Sequence, residues 1–194
     1  MELYVTRQES YSRGELILRT LFGLLYIAIP HLFLLLFIGL WSSILTFISW
    51  WTILFTGRYP QSFFEFQVKM LRWNLGVSAS LYNLVDGYPP FGLNAENDKI
   101  KLEIPYPESL SRGTLLLKSF LGIFYCILPH AFCLYFRMIW SAILGFIAFW
   151  AVLFTGNYPE GWHAFNVGTI RWSYRLNLYI GYFMSDEYPP FSGK

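Results

Sequence analysis

Charge is what this sequence has least of. Asp, Glu, Lys and Arg make up 13% of its 194 residues, about half the share usual in a soluble domain. The formal net charge is +2. A dispersed balance of that kind excludes nucleic acid as a partner, because phosphate binding needs a concentrated basic face. Two cysteines exclude a disulfide scaffold. No carboxylate occurs from Leu16 to Phe55 or from Leu115 to Phe154, which removes a proton relay of acids along those runs. A glycine-rich phosphate loop, a zinc-protease helix and a nucleophile–base spacing are all missing. Nothing here supports an enzyme or calls for a cofactor.

What is present is apolar. Hydrophobic residues account for 55% of the chain and aromatics for 21%, with a mean hydropathy of +0.41. A soluble domain of this size cannot hide that much apolar surface, so the expectation is an integral membrane protein. Each long run is about 40 residues, roughly 60 Å as one helix and twice the ~30 Å hydrocarbon core. Each therefore predicts a hairpin of two spans. Pro30 and Pro129 mark the expected bends, since proline removes a donor and disfavours helix before it. An alternative bend lies near Gly39, opposite Met138. Glu2, Glu9 and Glu15 ahead of the first run speak against a cleaved signal peptide.

The chain repeats itself at an offset of about 99 residues, a tandem duplication. Ser12-Arg13-Gly14 returns as Ser111-Arg112-Gly113, Pro30-His31 as Pro129-His130 and Leu54-Phe55-Thr56-Gly57 as Leu153-Phe154-Thr155-Gly156. Arg72-Trp73 returns as Arg171-Trp172, and Tyr88-Pro89-Pro90-Phe91 as Tyr188-Pro189-Pro190-Phe191. The units are 1–95 and 96–194. Each opens on a short alternating segment (Leu3, Val5; Ile100, Leu102, Ile104) that reads as a strand. After the hairpin comes an amphipathic stretch. Phe63, Phe66, Met70, Trp73, Val77 and Leu81 form its apolar stripe, repeated by Trp162, Phe165, Trp172, Leu176 and Ile180. With Glu65, Lys69, Arg72, Arg171 and Arg175 beside the stripes, these predict helices lying in the headgroup layer.

Of fourteen Lys and Arg residues, all except Arg137 lie at the outer ends of the hairpins or between and after them. The positive-inside rule places both termini, both amphipathic helices and the linker in the cytoplasm. Arg19 and Lys118, one turn inside the runs, are expected to snorkel to that side. The predicted fold class is all-α integral membrane. Four transmembrane helices form two tandem parallel hairpin repeats related by a pseudo-twofold, each with a cytoplasmic interfacial amphipathic helix.

The series Ser-Arg-Gly, Pro-His, Leu-Phe-Thr-Gly-x-Tyr-Pro, Arg-Trp and Asp-x-Tyr-Pro-Pro-Phe resembles the domain of unknown function 4389 family of bacterial membrane proteins, twice over. The first copy departs at Thr6 and Gln8, where the second has Pro105 and Pro107, and at Ile38, where the second has Arg137. The resemblance implies a bacterial inner-membrane location and no particular activity.

Several side chains stand out as candidate sites. His31 and His130 suit a structural role at a helix start, or bis-histidine ligation of a haem or a metal between the repeats. Arg137 is the one cation deep inside a run; it either snorkels to the outer headgroups or makes a specific lipid, ion or partner contact. Arg72, Trp73, Arg171 and Trp172 read as lipid anchors or a partner-docking surface. Cys126 and Cys133 read as packing residues, with a metal site around His130 as the alternative. His163, whose repeat counterpart is Phe64, reads as interfacial. Asp86, Asp186 and Glu187 are expected to cap helices or pair with arginines. The leading functional expectation is a non-enzymatic scaffold or docking subunit of a membrane complex, touching lipids and other subunits. Lipid or small-amphiphile transport and a haem-bearing redox subunit are the alternatives.

Overall fold

The computed structural model describes residues 1–194, and the chain is mostly helical. A strand β1 (Glu2–Val5) leads to a helix α1 that runs without interruption over Arg13–Thr56. Helix α2 (Gln61–Leu81) follows, then strand β2 (Ile100–Glu103). The second unit repeats the plan with α3 (Arg112–Thr155) and α4 (Glu160–Leu176), the last extended by a π-helical turn over Asn177–Gly181.

The expected four spans are therefore two long helices. Each has 44 residues and is long and apolar enough to cross a membrane. Neither run breaks at its proline, and the reason is a hydrogen-bond substitution. Pro30 cannot donate to the Tyr26 carbonyl four residues back. The helix widens into a π-turn over Leu24–Ala28, which relieves the clash of the proline ring. The bared carbonyl then accepts from the Tyr88 hydroxyl at 3.0 Å. The second unit does the same over Ile123–Ile127, with Tyr188 donating to the Tyr125 carbonyl at 3.0 Å. A tyrosine some sixty residues away restores what the proline removed. The alternative bend is missing as well, since Gly39 and Met138 lie within unbroken α-helix.

Each long helix starts on a serine N-cap. Ser12 accepts from the Glu15 amide and Ser111 from the Thr114 amide. Each ends on a glycine in the left-handed region, Gly57 at φ 72° and Gly156 at φ 74°, a conformation that a Cβ penalises. The buried residues of α1 follow one stripe through Leu16, Arg19, Gly23, Ile27, His31, Leu35, Ser42, Leu45, Ser49 and Ile53. The other faces are exposed and, from Leu21 to Trp41, apolar.

The amphipathic helices α2 and α4 also depart from expectation. Their stripes do not face outward. Met70, Trp73, Val77, Val167, Ile170 and Trp172 are core residues, packed between the long helices and the strands. The strands pair antiparallel with Glu2 opposite Glu103 and Val5 opposite Ile100. Leu3, Val5, Ile100 and Leu102 are buried, while Glu2, Tyr4, Lys101 and Glu103 point away. The ribbon joins one strand from each unit, and the other links between units are reciprocal. Tyr11 N–H donates to the Gly156 carbonyl and Leu110 N–H to the Gly57 carbonyl, both at 2.8 Å. Arg13 reaches the Phe154 carbonyl at 3.1 Å and Arg112 the Phe55 carbonyl at 2.8 Å. This is the contact pattern of a pseudo-twofold between tandem repeats.

Candidate functional site

Each unit gathers its repeated motifs around one histidine. Pro30 places His31 on the inner stripe of α1, and α2 brings Trp73 opposite. The Trp73 indole N–H donates to His31 Nδ1 at 2.9 Å. Phe91 stacks on the imidazole at 3.9 Å and 4°, and Tyr88 lies 5.3 Å away. His130 repeats this with Trp172 at 2.8 Å, Phe191 at 3.9 Å and Tyr188 at 5.3 Å. An Nδ1 that accepts must be unprotonated, so the neutral ring carries its proton on Nε2. That Nε2 is buried without a partner in both copies. The two histidines sit in separate clusters, each clamped by aromatics of its own unit.

A second set pins the start of each long helix. Asp86 accepts from Arg19 at 2.6 Å and from the Ser12 amide at 2.7 Å. Asp186 accepts from Lys118 at 2.9 Å and from the Ser111 amide at 2.6 Å. Arg19 and Lys118, expected to snorkel, are instead interior cations with side chains only 1% exposed. The acid of Asp-x-Tyr-Pro-Pro-Phe thus ties the end of each unit to its beginning.

The expected anchors are drawn inward. Arg72 donates to the Leu102 carbonyl at 3.1 Å, and Arg171 to the Leu3 carbonyl through Nε at 3.1 Å and Nη2 at 2.9 Å. These arginines fasten the ribbon, and Trp73 and Trp172 are each 5% exposed. Arg137 does not reach outward either. Its guanidinium lies 4.0 Å from the Phe165 ring centre and donates to Thr169 Oγ1 at 3.0 Å and the Phe165 carbonyl at 3.2 Å. Cys126 is buried and Cys133 exposed, so they share no site with His130. No three His, Cys, Asp or Glu side chains converge as a metal set would.

The same pairings recur in both halves. The profile of the domain of unknown function DUF4389 matches residues 13–92 and again 118–193. The chain belongs to the DUF4389 family. No curated protein and no solved structure matches it. Each stretch matched to DUF4389 contains the whole histidine cluster of its unit, from the proline–histidine pair to the tyrosine–proline–proline–phenylalanine turn.

Sequence reasoning singled out the histidines and tryptophans but not their partnership, nor the roles of Tyr88, Phe91, Tyr188 and Phe191. One signal was available. His31 precedes Trp73 by 42 residues, as His130 precedes Trp172, and a fixed separation kept across two copies marks a contact.

His163, expected at an interface, is 4% exposed and bonds through Nε2 to the Leu84 carbonyl at 3.2 Å. Burial lowers its pKa; the hydrogen bond to Leu84 opposes this and the Arg7 charge adds to it. A lowered folded pKa makes the neutral form the native one. Its stability contribution is complete above the unfolded value of about 6.5 and is lost as pH falls below it, by at most about 1.4 kcal/mol per pH unit. Unfolding measured from pH 7.5 to 5.5 should show a shallower decline in His163→Gln. Equal slopes would contradict the assignment.

Proposed function

We propose that the protein is a non-enzymatic scaffold embedded in the bacterial inner membrane, with its long helices in lipid and its ribbon face presented to a partner subunit in the cytoplasm. One observation carries the membrane part. Between Thr20 and Ser43 every exposed side chain of α1 is Leu, Ile, Phe or Trp. In α3 the exposed positions from Phe120 to Trp150 are equally apolar, Tyr135 and Cys133 being the most polar. Water does not tolerate a continuous apolar surface of that extent on a free protein, and lipid does.

The ends of both long helices bond to segments flanking the ribbon, at Tyr11 and Leu110. Each helix is about 66 Å along its axis, twice the ~30 Å core. Since neither helix turns back on itself, these support helices that lie along the membrane with their apolar faces in lipid and their ends on the face that carries most of the Lys and Arg. The docking part rests on the ribbon's outward side. There Lys101 bridges Glu103 at 3.1 Å and Glu2 at 3.7 Å beside the exposed Tyr4, with no catalytic constellation nearby.

A nitroxide on Cys133 in a Cys126→Ala background tests the membrane part. Its relaxation should respond to oxygen and not to a water-soluble nickel chelate, whereas a label on Lys101→Cys, with Cys133 also replaced by Ser, should do the reverse. Nickel-accessible Cys133 in intact membranes would remove the membrane reading. For the docking part, a photocrosslinker at Tyr4 in native membranes should join one protein in stoichiometric yield. A chain that stays monomeric there is no scaffold. Handling of lipid is the second reading, favoured by Arg137, and proteoliposomes without lipid flux would remove it.

A further inference from the structure

Arg137 has company that only the fold provides. Arg171 and Arg175 of α4 lie along the same stretch of chain end, residues Ser192 and Gly193. Arg171 Nη1 donates to the Gly193 carbonyl at 2.7 Å, and Arg175 Nη1 approaches the Ser192 carbonyl at 3.4 Å. Gly168 and Gly193 back against each other so closely that a Cβ on Gly168 would meet Arg137 Nη2 at 2.9 Å and the Gly193 carbonyl at 2.9 Å. A Cβ on Gly193 would collide with the same guanidinium. Two guanidiniums thus donate to two neighbouring backbone carbonyls, and the third packs against Gly193 beside them.

None of the three forms an ion pair, although Arg19, Lys101 and Lys118 all do. The first unit has nothing equivalent, since Ile38 and Gly76 stand where the second has Arg137 and Arg175. Packing or anchoring common to both repeats therefore does not account for the extra cations. Glu187 is close enough to act on Arg175 without forming an ion pair; like charges gathered without a bonded counter-ion are unfavourable, and carbonyl dipoles only partly offset them. A tetrahedral anion, with oxygens able to take several guanidinium forks at once, completes such a set.

We propose that Arg137, Arg171 and Arg175 form a binding site for the phosphate of an anionic phospholipid, with the Ser192 and Gly193 carbonyls holding the place that the phosphate oxygens take. The lipid source follows from position. Arg137 belongs to a long helix whose adjacent Phe136 and Met138 are exposed and apolar, while Arg171 and Arg175 belong to the helix beneath the ribbon. A phosphate between them has apolar surface for acyl chains on one side and the polar layer on the other. This source rests on the membrane reading above, whereas the anion site itself does not.

The full-length protein with Cys126→Ala and Cys133→Ser, purified in a non-ionic detergent and labelled with a nitroxide at Ser192→Cys, provides the test. Dihexanoyl phosphatidic acid should mobilise the label at concentrations at least tenfold below those of dihexanoyl phosphatidylcholine. Arg137→Gln and Arg175→Gln should each weaken that response tenfold or more, and Arg175→Lys should recover part of it. Near-UV dichroism of the Trp172 cluster identifies any variant that fails to fold, and Arg175→Gln, on a half-exposed residue, then decides. Inorganic phosphate acting as strongly as phosphatidic acid would overturn the lipid source. No response in the unsubstituted protein, or an undiminished one in Arg175→Gln, would overturn the site. A Cys133 label open to nickel while phosphatidic acid binding persists would sink the membrane reading alone.

Discussion

Asp86→Ala is expected to destabilise the protein by about 3–5 kcal/mol, the usual cost of stranding a buried charge. Arg19 is 1% exposed and Asp86 10% exposed, and they meet at 2.6 Å. Removing the carboxylate leaves a guanidinium in the interior held by Asn83 at 3.0 Å and by the half-exposed Glu15 at 3.1 Å. It also strips the Ser12 amide of its acceptor at the start of α1. Removing both charges, in Arg19→Met with Asp86→Ala, should recover much of the loss, because an apolar pair of similar volume has no desolvation cost. Asp186→Ala should cost less than Asp86→Ala, since Asp186 is 29% exposed and water can reach part of the space it leaves. Denaturant unfolding in detergent measures all three. A loss under about 1 kcal/mol for Asp86→Ala would show that Arg19 finds water or another acceptor.

Trp73→Ala is expected to cost a similar amount, about 3–5 kcal/mol for a large aromatic removed from a packed core. Two effects combine in that figure, and Trp73→Phe separates them. Phenylalanine keeps most of the ring but takes away the N–H, leaving His31 Nδ1 buried without a donor, which costs about 1–3 kcal/mol. The imidazole would then have both nitrogens unpartnered, Nε2 being so already. Trp172→Ala and Trp172→Phe should give matching values, because the bond lengths of 2.9 and 2.8 Å and the stacking distances of 3.9 Å agree between the units. Trp73→Phe as stable as the parent would mean that the ring supports the cluster by packing alone.

The duplication, the short strands and the apolar character of the long runs were all legible in the sequence. Each depends on residues close together in the chain, or on comparison of one half with the other. The continuity of the long helices was not legible. Pro30 and Pro129 carry a strong local signal for a break, and that signal is cancelled by hydroxyls on Tyr88 and Tyr188, which no window around the prolines contains. The amphipathic stripes of α2 and α4 were visible, but a stripe records only that one side is apolar. Lipid and a neighbouring helix satisfy it equally.

Of the candidate site residues, the types were legible and the directions were not. His31, Trp73, His130 and Trp172 were singled out one by one; the fold joins them in pairs. Arg72 and Arg171 turn to strand carbonyls of the opposite unit, which required knowing that the ribbon crosses between units.

Composition by itself determined that this chain is rich in apolar side chains and poor in charge, and self-similarity determined that it is built twice from one plan. Those properties add up residue by residue, or copy by copy, and need no coordinates. Tertiary structure decided where each hydrogen bond and charge ends. Partners for Pro30's bared carbonyl, for Arg19 and for Arg137 come from residues tens of positions away, and a buried polar group is satisfied by whatever the fold brings to it.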